Sequence, residues 1–174
     1  MPEIVRCYRQ KVPASRFIGI RYGEKDRVNL GYSFQWHEWL NTNRFASLTA
    51  LYTPEFLSVY EDGGAHVGLM RWKKNEPFEY WIGMFLPAET VVPDGFDSHD
   101  FPAADLGVCW VRGSEANVYF QEENCNKQLQ ADGMRIVTDE QGAYWFFERY
   151  AYPRFIEPDE NGEIILDICH FIAE

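Results

Sequence analysis

The sequence predicts an α+β protein, with one antiparallel sheet and two main helices on one of its faces. Runs of clustered or alternating apolar residues, typical of strands, flank two segments with helical spacing. The order strand, helix, strand, strand occurs twice, so we predict duplicated βαββ units. A length of 174 residues suits one domain. We therefore expect a single domain over 1–174, with halves near 1–90 and 100–174 and a ligand cleft between them.

The first half contains four predicted strands, each with apolar residues in alternation or in a cluster: Ile4–Tyr8, Phe17–Tyr22, His66–Trp72 and Phe78–Leu86. Pro13 separates the first two strands. Val28–Asn41 predicts a helix, because large apolar side chains recur there at helical intervals: Tyr32, Trp36, Trp39 and Leu40. Residues 42–63, which include Pro54, predict either a short helix or an ordered loop.

The second half follows a predicted linker over Pro87–Pro102. Ser114 is a candidate N-cap for a second helix, and Gly133 is a candidate stop signal for it. Its apolar residues at helical spacing are Val118, Cys125 and Leu129. The second half has three predicted strands, at Asp105–Arg112, Ala143–Tyr150 and Glu163–Ile172.

The charge is negative and unevenly distributed. The chain has 16 basic and 27 acidic side chains, and residues 88–174 carry 5 of the basic and 18 of the acidic ones. Such a chain repels phosphate, so we expect no direct nucleic-acid binding. The same field favours cationic ligands or a basic protein partner, although solubility alone also explains an acidic surface.

Several function classes lack their motifs. The chain has no GxSxG, GxxxxGK[ST] or GxGxxG segment, and its four histidines and four cysteines lack metal-binding spacing. We therefore expect no cofactor and no metal. Met1–Lys11 lacks the apolar core of a signal peptide, and no apolar run reaches the roughly 18 residues of a membrane helix. These features predict a cytoplasmic protein that does not bind membranes.

Aromatic residues are numerous, with 6 Trp, 10 Tyr and 13 Phe, and some of them can line a binding cavity. On a strand, Glu148 shares one face with Phe146 and Tyr150, so burial should raise the pKa of its carboxyl group. Glu148 could then bind a cation or act as a general acid or base. The alternatives are a half-exposed edge-strand glutamate or a simple pair with Arg149.

Four more aromatic residues are candidates for the wall of the cleft: Trp36, Trp39, Tyr80 and Trp110. An amphipathic stripe such as that of Trp36 and Trp39 is more often part of the core than of a binding site. Tyr80 and Trp81 point to opposite faces of their strand, so one of the two should reach the cavity.

The chain resembles the GyrI-like small-molecule-binding domains, also called bacterial effector-binding domains. The matching segments are Arg16–Tyr22 (RFIGIRY), Gly31–Leu40, Tyr80–Pro87 (YWIGMFLP), Phe101–Gly113 (FPAADLGVCWVRG), Phe147–Tyr150 (FERY) and Glu163–Phe171 (EIILDICHF). The resemblance implies a pseudo-twofold fold with an aromatic pocket between the halves. It also implies that Glu148 contacts cationic or hydrophobic drug-like ligands. Many relatives are transcription regulators with a helix-turn-helix region. None precedes Met1–Lys11, so we expect a stand-alone member.

Three functions follow for testing. The first is binding of hydrophobic, cationic aromatic molecules by Glu148 and the surrounding rings, for sensing or sequestration. The second, implied by one branch of the family, is hydrolysis of strained cyclopropane-type genotoxins. Glu148 would activate water there, and Tyr80 or Tyr150 would protonate the leaving carbon. The third is a role like that of the gyrase inhibitors of the family, in which the acidic second half docks on a basic protein surface.

Overall fold

A computed structural model describes residues 1–174 as an α+β fold built on one eight-stranded sheet, which confirms the predicted fold class. The strands are β1 (Glu3–Val12), β2 (Ser15–Tyr22), β3 (His66–Trp72), β4 (Glu79–Pro87), β5 (Asp97–Phe101), β6 (Ala104–Gly113), β7 (Tyr144–Tyr150) and β8 (Ile164–Ile172). Their order across the sheet is β1-β6-β8-β7-β3-β4-β2-β5, and every neighbouring pair is antiparallel.

Four α-helices accompany the sheet: α1 (Ser33–Asn41), α2 (Phe45–Thr49), α3 (Pro54–Val59) and α4 (Glu122–Ala131). The start of α3 follows from its sequence, because the Thr53 side chain accepts a hydrogen bond from the backbone N–H of Phe56 at 3.2 Å. Pro54 at the first position loses nothing by lacking an N–H group. None of the helices has the length and apolarity that crossing a bilayer would require.

The sheet order repeats within the chain. The unit β2-α1-β3-β4 and the unit β6-α4-β7-β8 hold equivalent places, and the two units meet at the central pair β3–β7. The outer strands are exchanged between the units. β1 directly precedes β2 in the chain but pairs with β6, and β5 directly precedes β6 but pairs with β2. The centre of the sheet is therefore the place where side chains from both units come together.

The two faces of the sheet are covered differently. On the helical face, α1 and α2 bury Trp39 and Leu48 against β2, β3 and β4, while α4 buries Cys125 and Leu129 against β6 and β8. The opposite face packs against Phe56 of α3 and the residues that follow it. The helices α1 and α4 thus lie on one face, as predicted, and flank the β3–β7 centre.

The starts of the two main helices differ from the prediction. The first helix begins at Ser33 and not at Val28, because the backbone at Asn29 and Leu30 has φ of 52° and 67°, outside the helical region. The second begins at Glu122, because residues 114–121 form turns and Phe120 has φ of 61°. Val118 is buried within those turns and not on the helix. Gly133, with φ of 83°, follows the end of α4 as predicted.

The predicted linker and the undecided segment both contain regular structure. Residues 97–101 of the linker form β5, a polar edge strand fixed to β2 by the Arg16–Asp100 ion pair at 2.6 Å. Its sequence, DSHDF, has no apolar alternation because little of it is buried. Residues 42–63 form the two short helices α2 and α3.

Candidate functional site

Glu148 lies in the middle of β7, on the helical face, and its residue surface is only 7% exposed. Phe146 and Tyr150 pack on that same face, whereas Phe147 belongs to the core of the opposite face. The prediction from strand alternation therefore places Glu148 on the correct side of the sheet. The alternative of a half-exposed edge-strand glutamate is wrong, because the residue is buried and β7 is a central strand of the sheet.

Arg149 does not neutralise Glu148. It points to the opposite face, where its Nε donates to Asp167 Oδ2 at 2.8 Å and its Nη1 donates to Gln10 Oε1 at 2.9 Å. Both members of the Arg149–Asp167 pair are almost fully buried. The alternative of a Glu148–Arg149 pair is therefore wrong, and Glu148 has no ion-pair partner within the chain.

Aromatic rings from both units form a connected network that ends at Glu148. The Tyr150 hydroxyl donates to Glu148 Oε2 at 2.6 Å, and the Trp36 ring meets the Tyr150 ring edge-on at 4.8 Å. Trp36 Nε1 donates to the Tyr80 hydroxyl at 2.9 Å, and Tyr80 stacks on Tyr32 at 4.2 Å with an interplanar angle of 3°. We call these five residues the aromatic–glutamate cluster.

A glycine makes room for this cluster. Gly68 on β3 lies directly opposite Glu148 on β7. A Cβ atom at Gly68 would lie 2.5 Å from the Tyr80 hydroxyl oxygen and 3.5 Å from the Trp36 ring. Any larger residue would push these groups away, so Gly68 sets the spacing of the cluster.

One carboxyl group of the site, that of Glu148, titrates close to neutral pH. Burial raises the pKa of the Glu148 carboxyl to about 7, and the nearby Glu122 carboxyl adds to the rise. The hydrogen bond from Tyr150 acts in the other direction. Burial and the Glu148 charge raise the pKa of both Tyr150 and Tyr80 well above the ordinary value, so these phenols stay protonated. Glu148 can therefore be charged or neutral at small cost while its neighbours remain donors.

Glu122 and Gly68 are site residues that the sequence analysis missed. Glu122 lies in the first turn of α4, and burial raises its pKa. The predicted helix began several residues too early, so nothing marked Glu122 as a neighbour of Glu148. The importance of Gly68 depends on the β3–β7 register, which joins residues 80 positions apart and leaves no local signal.

Not every predicted residue lies near Glu148. Trp110 points to the opposite face, where it contacts the Tyr8 ring at 6.0 Å and the Arg6 and Arg154 guanidinium groups at 4.8 and 4.5 Å. Trp39 is on the helical face but is fully buried in the core, where its Nε1 donates to the Tyr22 hydroxyl at 3.0 Å.

Phe146 lies two residues from Glu148 at the edge of the cluster. Its ring stacks on His170 at 5.6 Å with an interplanar angle of 11°. Burial lowers the pKa of His170 to about 4, so this imidazole is neutral. His170 Nδ1 is buried without a hydrogen-bond partner.

One pocket lies beside the cluster and not over Glu148. It has a volume of about 530 Å³ and opens between α1 and α2, with Trp39, Phe45 and His66 in its lining. Phe45 stacks on His66 at 3.6 Å and contacts Trp36 at 5.9 Å. Since Trp36 also touches Tyr150, a chain of aromatic contacts leads from the pocket to the carboxylate. Glu148 is buried and does not itself line this pocket.

Solved structures share this fold, whereas no family model and no curated protein matches the sequence. One is SAV2435 bound to tetraphenylphosphonium, with a TM-score of 0.65 and 14% identity over 97% of this chain and 94% of that one. Another is a proposed bacterial transcription regulation protein from Staphylococcus aureus MU50, with a TM-score of 0.61 and 15% identity over 97% and 99%. A third is a hydrolase from Listeria innocua, with a TM-score of 0.52 and 9% identity over 97% and 92%.

Proposed function

We propose that this chain is a GyrI-like protein that binds hydrophobic aromatic cations at the aromatic–glutamate cluster. The observation that carries the proposal is a buried carboxyl group, Glu148, which has rings around it and no cationic partner in the chain. A buried charge without a partner is costly. A ligand that brings the opposite charge and large apolar surfaces removes that cost.

The cluster suits a delocalised cation better than an ammonium group. A cation with spread charge loses little hydration on burial, and each ring of Trp36, Tyr80 or Tyr150 adds about 0.5–2 kcal/mol of cation–π attraction. Ionised Glu148 adds a charge–charge term that strengthens as water is excluded. A neutral aromatic molecule gains only the ring contacts, so the site discriminates by charge.

Access to Glu148 requires the rings to move. The pocket between α1 and α2 has a volume within the range of about 300–1,000 Å³ for ligand sites. From there, rotation of Phe45 and Trp36 opens a path along their contacts to Tyr150. The ligand seen with SAV2435, tetraphenylphosphonium, is itself a bulky aromatic cation, which supports this ligand class for the shared fold.

The test compares tetraphenylphosphonium with a neutral analogue, triphenylphosphine oxide, by isothermal titration calorimetry. Glu148→Gln keeps the size of the side chain and removes its charge. We expect it to weaken binding of the cation at least about 30-fold, because loss of one partner of a buried charge pair costs about 2–5 kcal/mol. Binding of the neutral analogue should change little.

The matched control is Glu160→Gln, which makes the same charge change at an exposed position. It should leave both affinities as in the wild type. Equal losses for the cation and the neutral analogue in Glu148→Gln, or no loss for either, would remove the charge-recognition role.

A second candidate function is hydrolysis of strained cyclopropane-type electrophiles. It is favoured by the 2.6 Å contact between the Tyr150 hydroxyl and Glu148, a carboxyl with a pKa of about 7. Glu148 would take a proton from water as the water oxygen bonds to a ring carbon and a ring C–C bond breaks. The Tyr80 or Tyr150 phenol would protonate the released carbon and recover its proton from Glu148. The hydrolase from Listeria innocua has this fold as well.

Mass spectrometry of such an electrophile separates the two functions. An enzyme converts it to a product that has gained one water, and Glu148→Gln abolishes this conversion. Binding without turnover above the buffer rate rules out hydrolysis and leaves ligand capture.

A further inference from the structure

A pair of thiols lies where the first strand joins the sheet, away from the aromatic–glutamate cluster. Cys7 on β1 and Cys109 on β6 are direct cross-strand partners. Their Sγ atoms are 2.8 Å apart, and both side chains pack beneath α4. The two cysteines are 102 positions apart in the chain, so only the folded sheet brings them together.

We propose that Cys7 and Cys109 form an oxidation site, at which a hydroperoxide converts the two thiols into a cross-strand disulfide. The backbone already has the required spacing, because directly opposed residues of antiparallel strands have Cα atoms about 4.5–5.5 Å apart. Disulfides span Cα distances of about 4.4–6.8 Å. No movement of β1 relative to β6 is needed to close the bond.

The burial of the four cysteines indicates which thiol the peroxide oxidises first. Cys7 is half-buried, whereas Cys109, Cys125 and Cys169 are buried. Cys7 is therefore the thiol that a solvent-borne peroxide reaches, and Cys109 is the neighbour that resolves the product. Cys125 lies close by on α4, where its carbonyl accepts a weak hydrogen bond from Cys109 Sγ at 3.8 Å. Cys169 is in the core of the opposite face.

The reaction balances with the peroxide as oxidant. The Cys7 sulfur attacks one peroxide oxygen, the O–O bond breaks, and Cys7 becomes a sulfenic acid as water leaves from hydrogen peroxide, or the corresponding alcohol from an organic hydroperoxide. The Cys109 sulfur then attacks the Cys7 sulfur, the S–S bond forms, and the sulfenic acid oxygen leaves as water. Two S–H bonds and one O–O bond are lost, and the two electrons pass from sulfur to oxygen.

The rate of this reaction should depend on pH. Burial and the neighbouring Cys109 thiol raise the pKa of Cys7 above its ordinary value. The thiolate is the reactive form, so oxidation is slow near neutral pH and accelerates as the pH rises.

The disulfide would tie an edge strand to the sheet. β1 has one neighbour, β6, and is otherwise held by its side chains. A bond that closes a loop of 102 positions restricts the unfolded chain strongly, so the oxidised protein should have a Tm at least about 5 °C above that of the reduced protein.

The experiment treats the reduced full chain with excess hydrogen peroxide, unfolds it under acid quench, and counts free thiols by alkylation and mass spectrometry. We expect loss of two of the four thiols, a cross-linked peptide that joins Cys7 to Cys109, and reversal by dithiothreitol. Cys7→Ser should prevent the cross-link and the rise in Tm, whereas Cys169→Ser should leave both intact.

Other products would overturn the proposal. These are four free thiols after oxidation, a link from Cys7 to Cys125, a disulfide between two copies of the chain, or a sulfinic acid at Cys7 with Cys109 still free. Since Cys7 is only half-buried, its serine variant should fold, and far-ultraviolet circular dichroism checks that it does.

Discussion

Replacing Glu148 with glutamine should make the ligand-free protein more stable above neutral pH. The Glu148 pKa is raised from 4.5 to about 7 in the folded protein, because burial disfavours the charged form. A carboxyl group with a raised pKa contributes its full amount to the free energy of unfolding below about pH 4.5. This contribution is lost as the pH rises through about 7 and the folded protein has to hold the charged form. Glutamine cannot ionise, so the free energy of unfolding of Glu148→Gln does not fall in this way as the pH rises. Its amide oxygen can still accept the hydrogen bond from Tyr150.

The size of the effect follows from the two pKa values. At about 1.36 kcal/mol per pH unit, the free energy of unfolding of the wild type should fall relative to Glu148→Gln by about 2–3 kcal/mol between roughly pH 5 and pH 8.5. For a chain of this length, each 1 kcal/mol corresponds to about 2–4 °C in Tm. The difference in Tm between the two proteins should therefore change by about 5–10 °C across this range.

Urea unfolding at a series of pH values measures the effect directly. Titrating groups that do not contact Glu148 are common to the two proteins and cancel in the difference, so the remaining change reports Glu148 and its coupled neighbour Glu122. Glu160→Gln is the matched control and should follow the wild type at every pH. A constant difference between Glu148→Gln and the wild type from acid to alkaline pH would refute the reasoning, because it would mean that Glu148 ionises normally.

Three further outcomes are expected. Affinity of the wild type for tetraphenylphosphonium should rise as the pH increases through about 7, while Glu148→Gln shows a flat profile in the same calorimetric titration. Tyr150→Phe removes the donor that favours ionised Glu148, so the midpoint of that profile should move to higher pH; an unchanged midpoint contradicts the role given to the hydroxyl. Gly68→Ala places a methyl group against Tyr80 and should destabilise the fold by about 1–3 kcal/mol in urea unfolding, with weaker cation binding. If Gly68→Ala were as stable as the wild type, the added methyl group would fit beside Tyr80, and the spacing role given to Gly68 would be wrong.

The local alternation of residues was sufficient to predict which side chains of β7 lie on the face of the site. The alternation in YWFFERY placed Glu148 with Phe146 and Tyr150 and sent Arg149 to the other face, as the structure has them. This works because side-chain direction on a strand is fixed by the backbone with a period of two. The aromatic–glutamate cluster could be predicted only in part. Trp36 and Trp39 lie on the same helix, but Trp36 donates to Tyr80 in the cluster, whereas Trp39 donates to Tyr22 in the core.

The errors share a physical origin in long-range pairing. β5 is held by hydrogen bonds to β2 and by one ion pair, so its own sequence carries no strand pattern. The start of α4 depends on turns that bury Val118, and a buried apolar residue in a turn mimics a helical position. The role of Gly68 depends on sheet order, and the side on which Trp110 lies depends on which face of β6 the helices cover, neither of which one sequence reveals.

The exchange of outer strands described above limits how this molecule can deform. To move one βαββ unit away from the other, the backbone hydrogen bonds of β3–β7 would have to break, and the outer strands would stay tied to both units by the short connections at residues 13–14 and 102–103. Opening the two units as separate bodies is therefore costly, because a continuous strand pair at the centre of one sheet has to separate. A ligand of the proposed class would then reach Glu148 through rotation of aromatic side chains, so the range of ligands bound would depend on the arrangements that Phe45 and Trp36 can adopt.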